Sequence, residues 1–70
     1  MIDPTSKDRA ALVGHTFRVR KNGEQETRRV IDFTLGGGVS YRTANCRYAS
    51  KTEYDPAKWD AWAKDAKCIK

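Results

Sequence analysis

Two glycine-containing turns divide the middle of this 70-residue chain into three segments of strand length. The first turn is Lys21-Asn22-Gly23 and the second is Gly36-Gly37-Gly38. Glycine adopts left-handed backbone conformations without steric cost, so both segments are typical of hairpin loops. Before the first turn, the core-type residues alternate with polar ones from Val13 to Val19, which is the period of a strand with one buried face. The sequence therefore predicts an antiparallel meander over residues 13–47.

The phase of the apolar residues distinguishes between the two lengths that the first turn could have. A two-residue Asn22-Gly23 turn would place the apolar residues of the first two strands on opposite faces, because a slip of one residue inverts a strand. A three-residue loop instead pairs Phe17 with Thr27 and brings Val13 opposite Ile31, so that the apolar residues share one face. We therefore predict a three-residue loop.

The second hairpin favours an odd loop for the same reason. Looping Gly36-Gly37-Gly38 pairs Phe33 with Tyr41 and leaves Ile31 and Leu35 on the same face of the second strand. Three successive glycines could also cradle a phosphate, but the Lys and Ser/Thr that complete a P-loop do not follow. The pattern favours a structural turn.

The clearest helix signal comes near the C-terminal end of the sequence. Asp is a favoured N-cap and Pro a favoured first helical residue, so Asp55-Pro56 predicts a helix start. Trp59 and Trp62 then recur on one face of a helix over residues 55–67, and that face should cover the sheet. Residues 48–54 are expected to form a connection, and residues 1–12 an arm or a short helix. The predicted fold class is α+β in one domain.

Composition favours a small intracellular binding protein over an enzyme. The chain has no apolar run of membrane-spanning length and no signal-peptide pattern, so we expect a cytoplasmic monomer without membrane contact. Cys46 and Cys68 lack the close spacing of a redox or zinc motif and are expected to be reduced thiols. The single histidine, His15, has no nucleophile motif around it. We expect no catalytic residue, no metal and no cofactor.

The net charge of +5 admits an acidic partner such as nucleic acid. On the predicted register, however, the outer sheet face carries arginines that pair with acids, including Arg18 with Glu26 and Asp32 with Arg42. Such a surface is largely neutralised, which favours a protein partner, with DNA or RNA binding as the alternative. Four arginines could still converge near one end of the sheet together with Lys51: Arg28, Arg29, Arg42 and Arg47. The candidate binding residues are Arg18, Arg20, Arg28, Arg42, Arg47 and Lys51.

The segment Arg29 to Leu35, followed by Gly36-Gly37-Gly38 and Val39-Ser40-Tyr41, resembles the central hairpin of small SH3-like or Tudor-like β-barrel proteins. The size and style of the chain also resemble short bacteriophage or prophage proteins. The resemblance implies that short additional strands extend the meander toward a five-stranded SH3-like barrel. It also implies a non-enzymatic adaptor or regulator that engages its partner through the sheet surface and loops.

Overall fold

The computed structural model describes residues 2–43 and 49–70. Within these residues, five strands and one α-helix follow a short 3-10 helix at Arg9–Leu12, which confirms the α+β class. Their bounds are β1 Thr16–Lys21, β2 Glu24–Phe33, β3 Val39–Thr43, β4 Lys51–Glu53, α1 Pro56–Ala63 and β5 Lys67–Cys68.

The strands form one antiparallel sheet in the order β4-β3-β2-β1-β5. Helix α1 packs on one face of this sheet, which we call the inner face, as the two tryptophans predict. Trp59 is fully buried there with Leu12 and with apolar residues of the three central strands. The other face, the outer face, carries the alternate side chains of the same strands. The buried members of the core are Leu12, Phe17, Val30, Val39, Tyr41, Trp59 and Ala63.

The first hairpin has a two-residue turn, so the predicted three-residue loop is wrong. Lys21 pairs with Glu24, and Phe17 lies opposite Arg28 rather than Thr27. Asn22 and Gly23 both have positive φ, 52° and 79°, as in the primed turns whose twist matches that of the flanking strands. Strand β2 is therefore inverted relative to the prediction.

In the observed register, an arginine occupies a position of β2 on the inner face, the face on which the sequence predicts apolar residues. Arg28 takes an inner-face position, where its guanidinium lies 4.3 Å from the ring centroid of Tyr41 and 4.3 Å from that of Trp62. The aliphatic stem and the flat cationic head of arginine both suit an aromatic environment, so a charged residue can replace an apolar one at this position. Val30, and not Ile31, is then the fully buried residue of β2.

The second hairpin also differs from its predicted register. Phe33 pairs with Val39, and a bulge between Val30 and Asp32 shifts the phase of β2. The loop is longer than three glycines, because Thr34 N–H donates to the carbonyl of Gly38 and the Thr34 hydroxyl accepts from Gly38 N–H. Leu35, predicted to face the core, is fully exposed at the tip of this loop.

Helix α1 begins as predicted and ends earlier. The Asp55 carboxylate accepts a 2.9 Å hydrogen bond from Ala57 N–H, and Pro56 occupies the first turn. The helix ends at Ala63, whereas the prediction extended it to residue 67. The cause is β1, whose free edge pairs with Lys67 and Cys68 and draws them into the sheet.

A buried arginine joins the N-terminal segment to the rest of the fold. The Arg9 side chain is 6% exposed and donates to the carbonyls of Gly37 and Ser6 and to the carboxylate of Asp60. The indole N–H of Trp59 donates to the carbonyl of Pro4 at 2.9 Å. These contacts hold the N-terminal segment, the second hairpin and α1 in one packed unit.

Candidate anion-binding surface

The observed register gathers basic side chains on the outer face of the sheet. Directly paired residues in an antiparallel sheet share a face, and the pairs on this side are Arg18 with Thr27, Arg18 with Lys67, and Arg29 with Arg42. Arg20 follows Arg18 by two positions and therefore lies on the same side. We call this set the outer arginine face: Arg18, Arg20, Arg29, Arg42 and Lys67.

The residues between these cations are mostly neutral. Thr16, Gln25 and Thr27 share the face through their pairing in the first hairpin, and Ser40 and Thr52 lie beyond Arg42. One acidic residue, Asp32, occurs among the paired strand residues of this face in the described part of the chain, and it lies opposite Ser40. Its carboxylate accepts from Phe33 N–H at 2.8 Å. The outer face is therefore a positive surface and not the neutralised one that the sequence predicted.

Two of the three acids expected to neutralise the arginines, Glu24 and Glu26, lie on the inner face instead. Glu26 forms an ion pair with Arg28, and Glu24 lies opposite Lys21. The Lys21 ammonium contacts the Asp65 carboxylate at 2.9 Å and lowers the pKa of that carboxyl below its usual value. The two-residue turn thus places Glu24 and Glu26 on the inner face of the sheet and Arg29 on the outer face.

Arg29 and Arg42 form a like-charge pair directly across β2 and β3. Like charges at such positions repel and destabilise the sheet unless an anion lies between them. Both side chains are exposed, and no ion pair to a carboxylate involves either one among residues 2–43 and 49–70. All nine acidic side chains of the sequence lie within those residues.

Shallow cavities lie on both sides of this arginine pair. One, of about 370 Å³, is lined by both arginines, by three threonines that include Thr16 and Thr27, and by Ile69 and Lys70. The other, of about 430 Å³, is lined by the two arginines and by Val13 and Ile31 among others. Guanidinium groups and hydroxyls can donate several hydrogen bonds to one anion, so the arrangement is chemically suited to phosphate or carboxylate.

The six candidate residues divide between the two faces of the sheet. Arg18, Arg20 and Arg42 come together on the outer face. Arg28 lies on the inner face between two aromatic rings, and Lys51 lies opposite Tyr41, also on the inner side but exposed at the edge. Arg47 lies outside the described residues.

The candidate set omitted Arg29 and Lys67. Arg29 could have been found from the strong hairpin signal of Asn-Gly, had that signal been given more weight than the apolar phase. Lys67 had no comparable signal, because the helical pattern runs through it and its pairing with Arg18 depends on the early end of α1.

Other kinds of site have no support in the described residues. No group of three or more potential metal ligands occurs within residues 2–43 and 49–70, and Cys68 is a free thiol there. Cys46 lies outside these ranges. Within the same ranges, α1 is too short and too polar to cross a membrane.

Comparison with known proteins identifies no relative of this chain. No protein-family model, curated protein or solved structure matches this chain.

Proposed function

We propose that this protein is a small non-enzymatic binding module whose outer arginine face binds the phosphate backbone of nucleic acid. The observation that carries the proposal is the register of the first hairpin, which leaves Arg18, Arg29 and Arg42 on one face without acidic partners across the strands. The sequence favoured a protein partner because the outer charges were predicted to pair among themselves. That reason no longer holds once Glu24 and Glu26 lie on the inner face.

The chemistry of the face favours backbone contacts over base recognition. Arginine forks match phosphate oxygens well, and such contacts carry no sequence information directly. Recognition of single-stranded bases usually adds aromatic side chains on which bases stack. The paired strand residues of the outer face include no aromatic residue within the described part of the chain. We therefore expect binding with little sequence preference and a strong dependence on salt.

The experiment is a fluorescence anisotropy titration of labelled duplex DNA and RNA over a range of salt concentrations. If four cations contact phosphates, log K against log salt should have a slope of roughly −3 to −4, at about −0.9 per contact for B-DNA. Arg29→Gln combined with Arg42→Gln should reduce the slope by about 2.

A matched control uses two exposed lysines of the helix region. Lys58→Gln combined with Lys64→Gln changes the net charge by the same amount, but these residues belong to the layer on the inner face. This control should leave most of the affinity intact. An equal loss of affinity in both double variants would mean that the net charge of the protein, and not the outer arginine face, determines binding.

A protein partner is the second candidate, and the tip of the second hairpin favours it. Leu35 is fully exposed there, Phe33 is partly exposed, and the largely exposed Tyr54 has its Cα next to Gly38 of the same loop. A protein with an apolar surface could dock on these side chains. Loss of binding to a protein partner on Leu35→Ser, with unchanged DNA titrations, would favour this candidate.

We also propose that the fold is SH3-like and that the chain is of bacteriophage or prophage type. Five antiparallel strands, the number in SH3-like barrels, support the first part. The second part rests on the resemblance in size and style alone. An experimental structure in which β4 and β5 are joined by backbone hydrogen bonds would establish a closed barrel, whereas separated edges would exclude it.

A further inference from the structure

We propose that Arg29 and Arg42, with the hydroxyls of Thr16 and Thr27, form a discrete site for a phosphate monoester, and that its ligand is the terminal phosphate of a nucleic acid strand. We call these four residues the terminal-phosphate site. This inference rests on the proposed function, since it assigns a more specific ligand to one end of the same surface.

The charge of the site matches a dianion better than a monoanion. Two guanidiniums lie on directly opposed positions of β2 and β3, and no carboxylate ion pair offsets either of them among the described residues. An internal phosphodiester carries one negative charge, whereas a phosphate monoester carries about 1.5 to 2 near pH 7. The monoester therefore relieves more of the repulsion within the pair.

The surroundings of the pair also suit a chain end. The cavity on one side offers Thr16 and Thr27 as hydroxyl donors, which can bind the additional oxygen of a monoester. The cavity on the other side includes the apolar side chains of Val13 and Ile31, which are exposed and half-buried respectively. A terminal phosphate held by the arginines would leave its sugar or base free to lie against these side chains.

The rest of the outer arginine face makes a strand the expected source of the phosphate. Arg18 and Lys67 lie opposite each other on β1 and β5, on the same side of the sheet as the terminal-phosphate site. They can contact internal phosphates of the strand whose end is bound at Arg29 and Arg42. A small phosphorylated metabolite would leave these cations unused.

The test compares one oligonucleotide sequence in three forms: with a 5′ phosphate, with a 3′ phosphate and with hydroxyls at both ends. At least one phosphorylated form should bind about tenfold more tightly than the hydroxyl form, a gain comparable to one charge-assisted hydrogen bond. The gain should disappear in Arg29→Gln combined with Arg42→Gln. It should persist in Arg18→Gln combined with Lys67→Gln, which lowers the affinity for all three forms.

The pH dependence gives a second readout. The second pKa of a phosphate monoester is near 6, so the gain should shrink between about pH 7.5 and about pH 5 while binding of the hydroxyl form changes less. Inorganic phosphate, titrated at constant ionic strength and followed by the side-chain NMR signals of the arginines, tests the site without a nucleic acid.

The outcomes separate the two proposals. Salt-dependent binding that is equal for all three forms would overturn the terminal-phosphate site and leave the proposed function standing. Shifts of Arg29 and Arg42 with inorganic phosphate, without binding of any oligonucleotide, would overturn both the strand end as ligand and the proposed function. A gain that survives in the Arg29 and Arg42 double variant would also overturn the site.

Discussion

Arg28 and Arg29 are adjacent in sequence and have opposite roles, because neighbouring side chains of a strand point to opposite faces. Arg28 is held between Tyr41 and Trp62, whereas Arg29 is exposed beside Arg42. We expect Arg28→Ala to lower the free energy of unfolding by about 1–2 kcal/mol through lost cation–π contacts and packing. Arg29→Ala should leave the stability unchanged or raise it slightly, since it removes a like-charge pair.

Urea unfolding of the two variants, each compared with the unaltered protein, measures this difference. Each variant serves as the control for the other, because both replace one arginine of β2 with alanine and the two positions are adjacent in the strand. If Arg29→Ala were less stable than Arg28→Ala, β2 would have the register predicted from the sequence. Arg29 would then not lie on the outer face beside Arg42.

Trp59 is the residue on which the core depends most, as it is fully buried and also donates a hydrogen bond to Pro4. Trp59→Ala should cost about 3–5 kcal/mol, which is a large part of the stability of a small domain. Trp62 is only partly buried, so Trp62→Ala should cost less. Thermal unfolding followed by circular dichroism would order the two variants, and a smaller effect at Trp59 would contradict the packing of α1.

The loop of the second hairpin contains three consecutive glycines that are alike in sequence and differ in structure. A Cβ on Gly38 would clash with the carbonyl oxygen of Glu53 and would lie 2.9 Å from the Cα of Tyr54. Gly37 has a φ of +89°, and Gly36 has open space around it. We expect Gly38→Ala to cost about 1–3 kcal/mol by overpacking, Gly37→Ala about 1–2 kcal/mol by backbone strain, and Gly36→Ala almost nothing.

Chemical unfolding of the three alanine variants tests this order. Gly36→Ala serves as the control for loss of backbone entropy in the unfolded chain, which acts equally at all three positions. If the three variants lost the same free energy of unfolding, the three glycines would have equivalent environments. Such equivalence would contradict the loop conformation, in which two hydrogen bonds join Thr34 to Gly38.

The elements also show which parts of the fold the sequence could predict. The cap at Asp55, the proline after it and the alternation of Phe17 with Val19 are local signals, and each gave the correct element. The register of β2 depends on whether Arg28 can occupy a core position, and that depends on Tyr41 and Trp62, which are distant in sequence. Strand β5 depends on the free edge of β1 in the same way. Because the candidate site is a consequence of register, Arg18, Arg20 and Arg42 were predicted on the outer face correctly, whereas Arg29 and Lys67 were not. The same error of register placed Glu24 and Glu26 on that face, so the surface was predicted to be neutralised.

An ion pair between the first hairpin and the end of α1 makes the stability of the protein depend on pH. The Lys21 ammonium lowers the folded-state pKa of Asp65 below 3.8, so the contribution of this contact is complete above that value and is lost as the pH falls through the folded-state pKa. The loss of stability in acid should therefore be smaller in Lys21→Met than in the unaltered protein. Urea unfolding from neutral pH to strong acid measures the difference. Parallel curves would mean that Lys21 and Asp65 do not interact in solution.

The protein as a unit presents a positive sheet face on one side and a helix with mixed charges on the other. The nucleic-acid proposal requires that the arginines of these two sides respond differently to a polyanion. Side-chain nitrogen-15 NMR resolves the Nε–H group of each arginine, so that a titration with duplex DNA reports on every guanidinium separately. At low salt, the signals of Arg18, Arg20, Arg29 and Arg42 should shift and should return as salt is added, while those of the buried Arg9 and the stacked Arg28 should remain in place. Shifts at Arg28 without shifts at Arg29, or no shift at any arginine, would contradict the outer face as the binding surface.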